Sequence, residues 1–341
     1  MTKFKIIQGS ITSPQGFQAA ARFCNLKKIG TGKGSNKGEK KDLALIFSEA
    51  PAKAAGMFTT NQICAAPVKI CIKHLKDNSA QAVVINSGNA NACTGPKGMK
   101  DALEMTTVAA KELGLKGSNV LVASTGRIGV NLPMNPIRKG IKAVANDLKS
   151  TQHAATQTAE AIMTSDTKPK QISVEFKLGG KVVRLGGIAK GAGMIQPGMS
   201  PNGSQPVSSA SGLHATMLSF LTTDANISAG NIKKCLKEAV SKSFNSITVD
   251  GDMSTNDTVL LLANGLAGNR KLNDQDLKTF QTSLNHVCLE LAKMIVRDGE
   301  GITRVITVRI SGAKSFAEAD KAARSVGNSS LVKTSWYGGD P

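Results

Sequence analysis

At 341 residues the chain is long enough for one large domain or two ordinary ones with a substantial core. Apolar residues make up 40% and aromatics only 4%, which fits a soluble α/β or α+β protein packed by Ala, Val, Ile, Leu and Met, and no apolar run approaches the roughly 20 residues of a membrane helix. The net charge of +19 is spread along the whole chain without an aromatic stacking stripe, which argues for solubility and attraction of small carboxylates rather than for nucleic acid.

The opening segment, MTKFKIIQGS, lacks the apolar core of a secretory signal, so a cytoplasmic protein is expected. Lys27 to Lys41 is interleaved with Gly, Ser and Asn and reads as a solvated loop; its Gly30-Thr31-Gly32-Lys33-Gly34-Ser35 lacks the order of a phosphate loop. Ala82–Ile85 predicts a buried strand leading into a Ser87-Gly88-Asn89 turn. Residues 97–113 have helical spacing, with Met99, Leu103, Val108 and Leu113 on one side. Asn119–Ala123 predicts a strand ending in Ser124-Thr125-Gly126, and Ile137, Ile141, Val144 and Leu148 predict a helix entered through Pro136. Ile172–Leu178 and Val182–Leu185 flank Gly179-Gly180, a hairpin signal. Residues 196–213 form a loop rich in Gly, Ser and Pro that runs into Thr216–Leu221, an apolar run predicting a buried strand. Helices follow at about 230–243 and 274–297, with a strand pair (Ser246–Val249, Thr258–Leu262) between them. Beyond Gly301 the pattern predicts strand, helix, strand.

Several chemistries are disfavoured. Cys24, Cys64, Cys71, Cys93, Cys235 and Cys288 form no C-x-x-C pair and read as small buried hydrophobes in a reducing compartment. Asp250 to Asp257 is rich in oxygen donors but has no Gly at the sixth and no Glu at the twelfth position of a calcium loop. His74, His153, His214 and His286 pair with no Ser or Cys and read as surface or loop residues, against a Ser-His-Asp hydrolase.

Ala215-Thr216 offers an alternative that needs no histidine. At the mouth of a strand, the Thr hydroxyl can attack the preceding carbonyl, and hydrolysis of the resulting ester frees an N-terminal Thr. Its α-amine, ordinarily titrating at about 7.7–8.0, then serves as the base for its own hydroxyl. Taken alone the pair is a weak signal, since most Ala-Thr pairs that open a strand do no chemistry.

The surroundings decide between these. Lys190-Gly191-Ala192-Gly193-Met194-Ile195, Ala215-Thr216-Met217-Leu218 and Leu221-Thr222-Thr223-Asp224-Ala225 resemble the cleavage region of the ornithine acetyltransferase (glutamate N-acetyltransferase) family of arginine biosynthesis. Asp42-Leu43-Ala44-Leu45-Ile46, Phe58-Thr59-Thr60-Asn61, Asn86 to Gly95, Ala123-Ser124-Thr125-Gly126, Ile162 to Thr167, Thr248 to Thr258 and Asp298-Gly299-Glu300-Gly301 follow in family order. The resemblance implies an α/β (α+β) fold, a four-layer αββα sandwich similar to N-terminal-nucleophile hydrolases, with a smaller C-terminal α+β domain. It implies residues 1–215 and 216–341 as α and β chains after cleavage, and structurally about 1–290 as the sandwich and about 291–341 as the start of the smaller domain. Thr216 is implied as nucleophile, Thr125 and Gly126 as oxyanion hole, and Thr164, Lys190, Thr216 and Glu300 as substrate-binding residues. Acetyl would pass from N-acetylornithine to glutamate in a complex of two α and two β chains, with no metal or cofactor; some members also take acetyl-CoA as co-substrate. Two features depart from the family pattern. Fifteen residues, Ser200 to His214, separate Met199 from the cleavage pair, and the family extends past the Asp340-Pro341 position. A self-processing aminopeptidase or amidase of the same architecture stays open as the rival reading, and a basic nucleic-acid-binding module as a more distant one.

Overall fold

The computed structural model describes residues 4–27, 40–203 and 216–339. Its frame is a mixed sheet whose strands are β1 (Phe4–Ile7), β2 (Phe17–Arg22), β3 (Leu43–Thr59), β4 (Ser79–Asn89), β5 (Val120–Arg127), β6 (Lys170–Leu178), β7 (Lys181–Lys190), β8 (Met199–Ser200), β9 (Leu218–Thr223) and β10 (Thr258–Ala263). They run in the order β1-β6-β7-β9-β10-β3-β4-β5, with β2 and β8 also paired to β3. The long β3 carries the architecture. Its first half, Leu43–Phe47, pairs with β2 and β4, and its second half, Lys53–Phe58, pairs with β10. The register against β4 shifts between Phe47 and Ala52, an interval containing Pro51, which has no N–H to give to a ladder. The strand can therefore leave one half of the sheet and enter the other.

Side-chain alternation then builds the layers. On the β7–β9–β10 half, Ile188, Leu218, Phe220, Leu260 and Leu262 share a core with Ile46, Val83 and Ile85 of the β3–β4 half. Their neighbours Leu185, Ala189, Leu221, Val259 and Leu261 face the other way, onto Ile232 and Leu236 of α5 (Ala229–Ser241) and Leu284, Val287 and Leu291 of α6 (Asp274–Val296). The opposite outer layer is α1 (Ala66–His74), α2 (Gly95–Leu113) and α3 (Met134–Ala145), with α4 (Gln152–Ala161) against β2. The result is helix, sheet, sheet, helix. Every residue of β9 and β10 is buried, and each large apolar side chain among them contributes roughly 1.5–3 kcal/mol.

The expected strands at 82–85, 119–123, 216–221 and 258–262, the Gly179-Gly180 hairpin and the four helices all form. Other expectations are corrected. Leu103 is 43% exposed, and α2 turns Gly98, Asp101, Ala102, Met105, Thr106, Ala109 and Ala110 inward; small residues let it approach α1 and α3 closely. β5 does not end at Ser124 but continues through Thr125 and Gly126 alongside Ser87 and Gly88 of β4. Ser246–Val249 is not a strand: Ser246 closes a 3₁₀ turn, and Val249 gives one main-chain bond to Ile195. The expected first strand after Gly301 does not form; Val305 and Ile306 are 50% and 44% exposed, and among the described residues no strand lies beside them. The last expected strand is instead α8 (Ser330–Gly338), which follows α7 (Phe316–Asn328) and starts where the Ser329 side chain accepts the Val332 N–H. The division expected near residue 291 falls inside α6, because Leu291, Ala292 and Ile295 belong to the core.

His74 is buried rather than on the surface, its Nδ1 at 2.8 Å from the Val120 carbonyl. Cys71, Cys235 and Cys288 are buried as expected, but Cys93 is exposed. The Gly30–Ser35 turn, His214 and Ala215 lie outside the described residues. Among the described residues no helix is long and apolar enough to cross a membrane.

Candidate active site

Thr216 stands two residues ahead of β9, a strand held on both sides by β7 and β10. It is 2% exposed. Lys190, the last residue of β7 and register partner of Leu218, reaches it from the neighbouring strand. The fully buried Lys190 Nζ donates to the Thr216 carbonyl at 2.7 Å, the Thr164 hydroxyl at 2.8 Å and the Thr125 hydroxyl at 3.2 Å. Three donors meet three acceptors, so a substrate carboxylate would reach this ammonium only by displacing one of them. Burial lowers the Lys190 pKa, opposed chiefly by Asp166, whose Oδ2 lies 3.8 Å away.

Asp166 ties the group together. Its Oδ1 accepts from Lys170 Nζ and from the Gly191 N–H, both at 2.6 Å, and its Oδ2 accepts the Thr164 N–H at 3.0 Å. Burial works against its charge, yet Lys190, Lys170 and the Gly191 N–H together hold its carboxyl down at about 2. Lys170 also donates to Asp298 at 2.6 Å, giving a buried row of alternating charge, Asp298–Lys170–Asp166–Lys190.

Gly126 follows Thr125 at φ +126°, where a Cβ would stand 2.4 Å from the Gly88 carbonyl carbon, so only Gly fits. Lys190 occupies the Thr125 oxygen and leaves its hydroxyl hydrogen available to a developing oxyanion. Of the expected residues, Thr125, Thr164, Lys190 and Thr216 therefore meet directly, with Gly126 beside them. Glu300 joins less closely: its N–H donates to Ala192 at 2.9 Å, and its carboxyl lies where a Cβ on Gly193 would be 2.8 Å away. It is exposed and borders a cavity lined also by Val249, Arg304 and Trp336.

Sequence reasoning missed four partners. The Ser254 hydroxyl donates to Thr216 Oγ1 at 2.9 Å and accepts the Asn256 N–H at 3.0 Å. Asn256 spans to the Ala90 and Ser124 carbonyls. Asp257 accepts the Met217 N–H, and Asp166 acts as described. The available signal was an unbroken polar run, Ser254 to Asp257, abutting the apolar Thr258–Ala263; residues so placed are carried inside with the strand. Asp250, in the rejected calcium-like segment, accepts the Met194 and Ile195 N–H groups at 2.5 and 2.9 Å.

A buried threonine hydroxyl at a strand start, with a second hydroxyl upon it and an ammonium bound to its carbonyl, is an arrangement in which a hydroxyl can act as nucleophile without histidine. In the comparison with known proteins, the sequence profile described as the ArgJ family matches residues 28–341. The chain belongs to the ArgJ family. It is 46% identical over 336 residues to the arginine biosynthesis bifunctional protein ArgJ of Symbiobacterium thermophilum, covering 98% of this chain and 78% of that one. It is also 46% identical over 339 residues to the glutamate N-acetyltransferase of Methanocaldococcus jannaschii, covering 99% and 76%. The solved ornithine acetyltransferase of Mycobacterium tuberculosis, in complex with ornithine, matches with a TM-score of 0.52 and 35% identity, over 58% of this chain and 100% of that one. An aminopeptidase from Ochrobactrum anthropi with a variant of the Ntn hydrolase fold superposes with a TM-score of 0.50 at 12% identity, over 84% and 85%, a likeness of fold alone. The ArgJ-family chain is thus an α/β sandwich of the kind seen in Ntn hydrolases.

Proposed function

We propose that this chain is a glutamate N-acetyltransferase of arginine biosynthesis that cleaves itself between Ala215 and Thr216 and then carries acetyl on Thr216, from N2-acetyl-L-ornithine to L-glutamate. The observation that carries the reading is the convergence of Lys190 on the Thr216 carbonyl and the Thr125 and Thr164 hydroxyls. In self-cleavage, Thr216 Oγ1 bonds to the Ala215 carbonyl carbon, the C–N bond breaks, and the hydroxyl proton ends on the Thr216 nitrogen; water then hydrolyses the ester. In transfer, the α-amine takes the hydroxyl proton as Oγ1 attacks the acetyl carbonyl, and returns it to the departing ornithine amine. Glutamate's neutral amine reverses these steps, its proton passing through the α-amine back to Oγ1. Thr125 and Gly126 receive the developing oxyanion. Thr164, Lys190 and Glu300 hold the amino-acid portion of the substrate.

The names borne by the relatives support the substrates. The fully matched ornithine acetyltransferase chain corresponds to 58% of this one, while the segment ahead of Thr216 is 215 of 341 residues; a polypeptide of about that length is what cleavage leaves. On this reading residues 1–215 and 216–341 are α and β chains of a cytoplasmic α2β2 assembly, without metal or cofactor, and acetyl-CoA is a second acetyl donor in keeping with the relative named bifunctional.

Intact-mass measurement of wild type beside Thr216→Ala tests the mechanism. Two fragments, the second beginning with Thr, are expected for wild type and one chain for the variant; an uncleaved wild type that still transfers acetyl would refute it. Acetyl transfer from N-acetylornithine, or from acetyl-CoA, to glutamate is expected to outrun peptide hydrolysis. The reverse order would favour an aminopeptidase.

A further inference from the structure

One polar atom beside the reacting residue has no partner among the described residues of the uncut chain. Asp257, immediately before β10, is fully buried; its Oδ1 accepts the Met217 N–H at 3.0 Å and its Oδ2 accepts nothing among the described residues. A buried carboxyl oxygen left so is unfavourable and calls for a reason. Burial is the main cause that pushes this carboxyl up to about 8; the N–H groups of Met217 and Ser254 and the Lys190 ammonium oppose it, and Asp250 adds to it. Near neutral pH the uncut chain therefore holds it largely protonated.

The Thr216 nitrogen is one residue from that of Met217, at most about 3.6 Å along the chain. Before cleavage it is an acylated amide with a single hydrogen. Cleavage turns it into an amine that, once protonated, carries three N–H donors, one residue along the chain from the group bonded to the Asp257 carboxyl, whose Oδ2 has no donor among the described residues. It also introduces a second cation near Lys190, which already touches the Thr216 carbonyl.

Resting on the proposed self-cleavage, we infer that Asp257 is the counter-charge of the newly formed Thr216 α-amine, a positioning residue whose Oδ2 receives the amine and holds it against the Thr216 hydroxyl. The proton carried by the Asp257 carboxyl passes to the neutral amine, so that a COOH/NH2 pair becomes a carboxylate/ammonium pair with no net charge gained. During turnover the amine cycles between neutral and protonated while Asp257 stays ionised. The protonated stage, which follows attack by Oγ1, is the one the carboxylate stabilises.

The test is the pH dependence of kcat/KM for acetyl transfer in cleaved wild type and in Asp257→Asn, which keeps the acceptor for Met217. The amine must be neutral to act as base, and a carboxylate favours its charged form. Removing that carboxylate should lower the amine's pKa and move the acidic limb of the profile down by about one pH unit or more. A merely structural role would lower the plateau and leave the limb in place, and that result would overturn the inference. Should the variant fail to fold or cleave, pH-dependent acylation of the wild-type Thr216 amine, read by mass spectrometry, decides the matter. A pKa at or above the ordinary 7.7–8.0 despite Lys190 supports the counter-charge, and one well below it overturns it. An uncleaved wild type in the mass experiment would instead remove the proposed function itself, so the two failures are distinct.

Discussion

Replacing Asp166 by Asn keeps the side-chain size and removes the charge between two buried lysines. The side chains of Asp166 and Lys190 are 0% exposed and that of Lys170 is 2% exposed, so solvent screens little. The wild-type carboxyl sits at about 2 against an ordinary 3.8, a difference worth about 2–3 kcal/mol of stability at neutral pH. Because the folded value is the lower one, this contribution is present in full above about pH 4 and disappears as pH falls through about 2. The Asn variant also leaves the ammonium groups uncompensated: Lys170 keeps Asp298, but among the described residues no other carboxylate lies within 4.0 Å of Lys190. Breaking a buried pair from one side costs about 3–5 kcal/mol, so a loss of about that size is expected from a total of about 5–15. Urea unfolding of the uncleaved forms, made with Thr216→Ala in both, would measure it at pH 7 and at pH 3. The gap between the two proteins should be about 3–5 kcal/mol at pH 7 and narrower at pH 3. A gap below about 1 kcal/mol, or one insensitive to pH, would refute the role given to this carboxylate.

Two further substitutions probe the reacting groups. Gly126→Ala forces a Cβ to within 2.4 Å of the Gly88 carbonyl carbon and 2.7 Å of the Asn89 nitrogen, main-chain atoms that cannot swing aside. Steady-state kinetics should show acetyl transfer reduced about 10²–10³-fold, as when an oxyanion donor is displaced; a variant with normal kcat would exclude Gly126 from the hole. Ser254→Ala removes the hydroxyl 2.9 Å from Thr216 Oγ1 and strips the Asn256 N–H of its acceptor. It should cost about 1–3 kcal/mol in stability and slow fragment formation followed by mass spectrometry; cleavage at the wild-type rate would assign Ser254 to folding alone.

The two inner strands of the site were legible in the sequence because burial on both faces leaves a mostly apolar run, as in Thr216–Leu221 and Thr258–Leu262. The Gly179-Gly180 hairpin was legible because its turn is chemically distinctive. Thr125, Thr164, Lys190 and Thr216 were linked to one another only by family resemblance. Their meeting depends on β7 lying beside β9 so that Lys190 falls opposite Leu218, and a register between strands leaves no local trace. Asp166, Ser254 and Asp257 escaped for a related reason. Polar residues outside regular strands look solvated until tertiary pairing draws them inward. The β3 crossing was likewise hidden, since its Glu49-Ala50-Pro51 interval resembles a loop although the strand continues through it. After Gly301 the opposite error arose, because apolar alternation signals a strand only where another backbone is at hand to bond it.

The order of the sheet has a kinetic corollary. β9 and β10 lie between β7 on one flank and β3 on the other, so a cut ahead of Thr216 leaves two polypeptides woven through one another rather than two bodies in contact. Neither can dissociate without tearing main-chain hydrogen bonds along both edges of the pair. An intact precursor would refold at a rate independent of dilution, whereas the severed form would have to find its missing strands by collision, and its recovery from denaturant would depend on concentration. Scission ahead of Thr216 would thus make assembly a once-only event, completed while the strands are still covalently tethered.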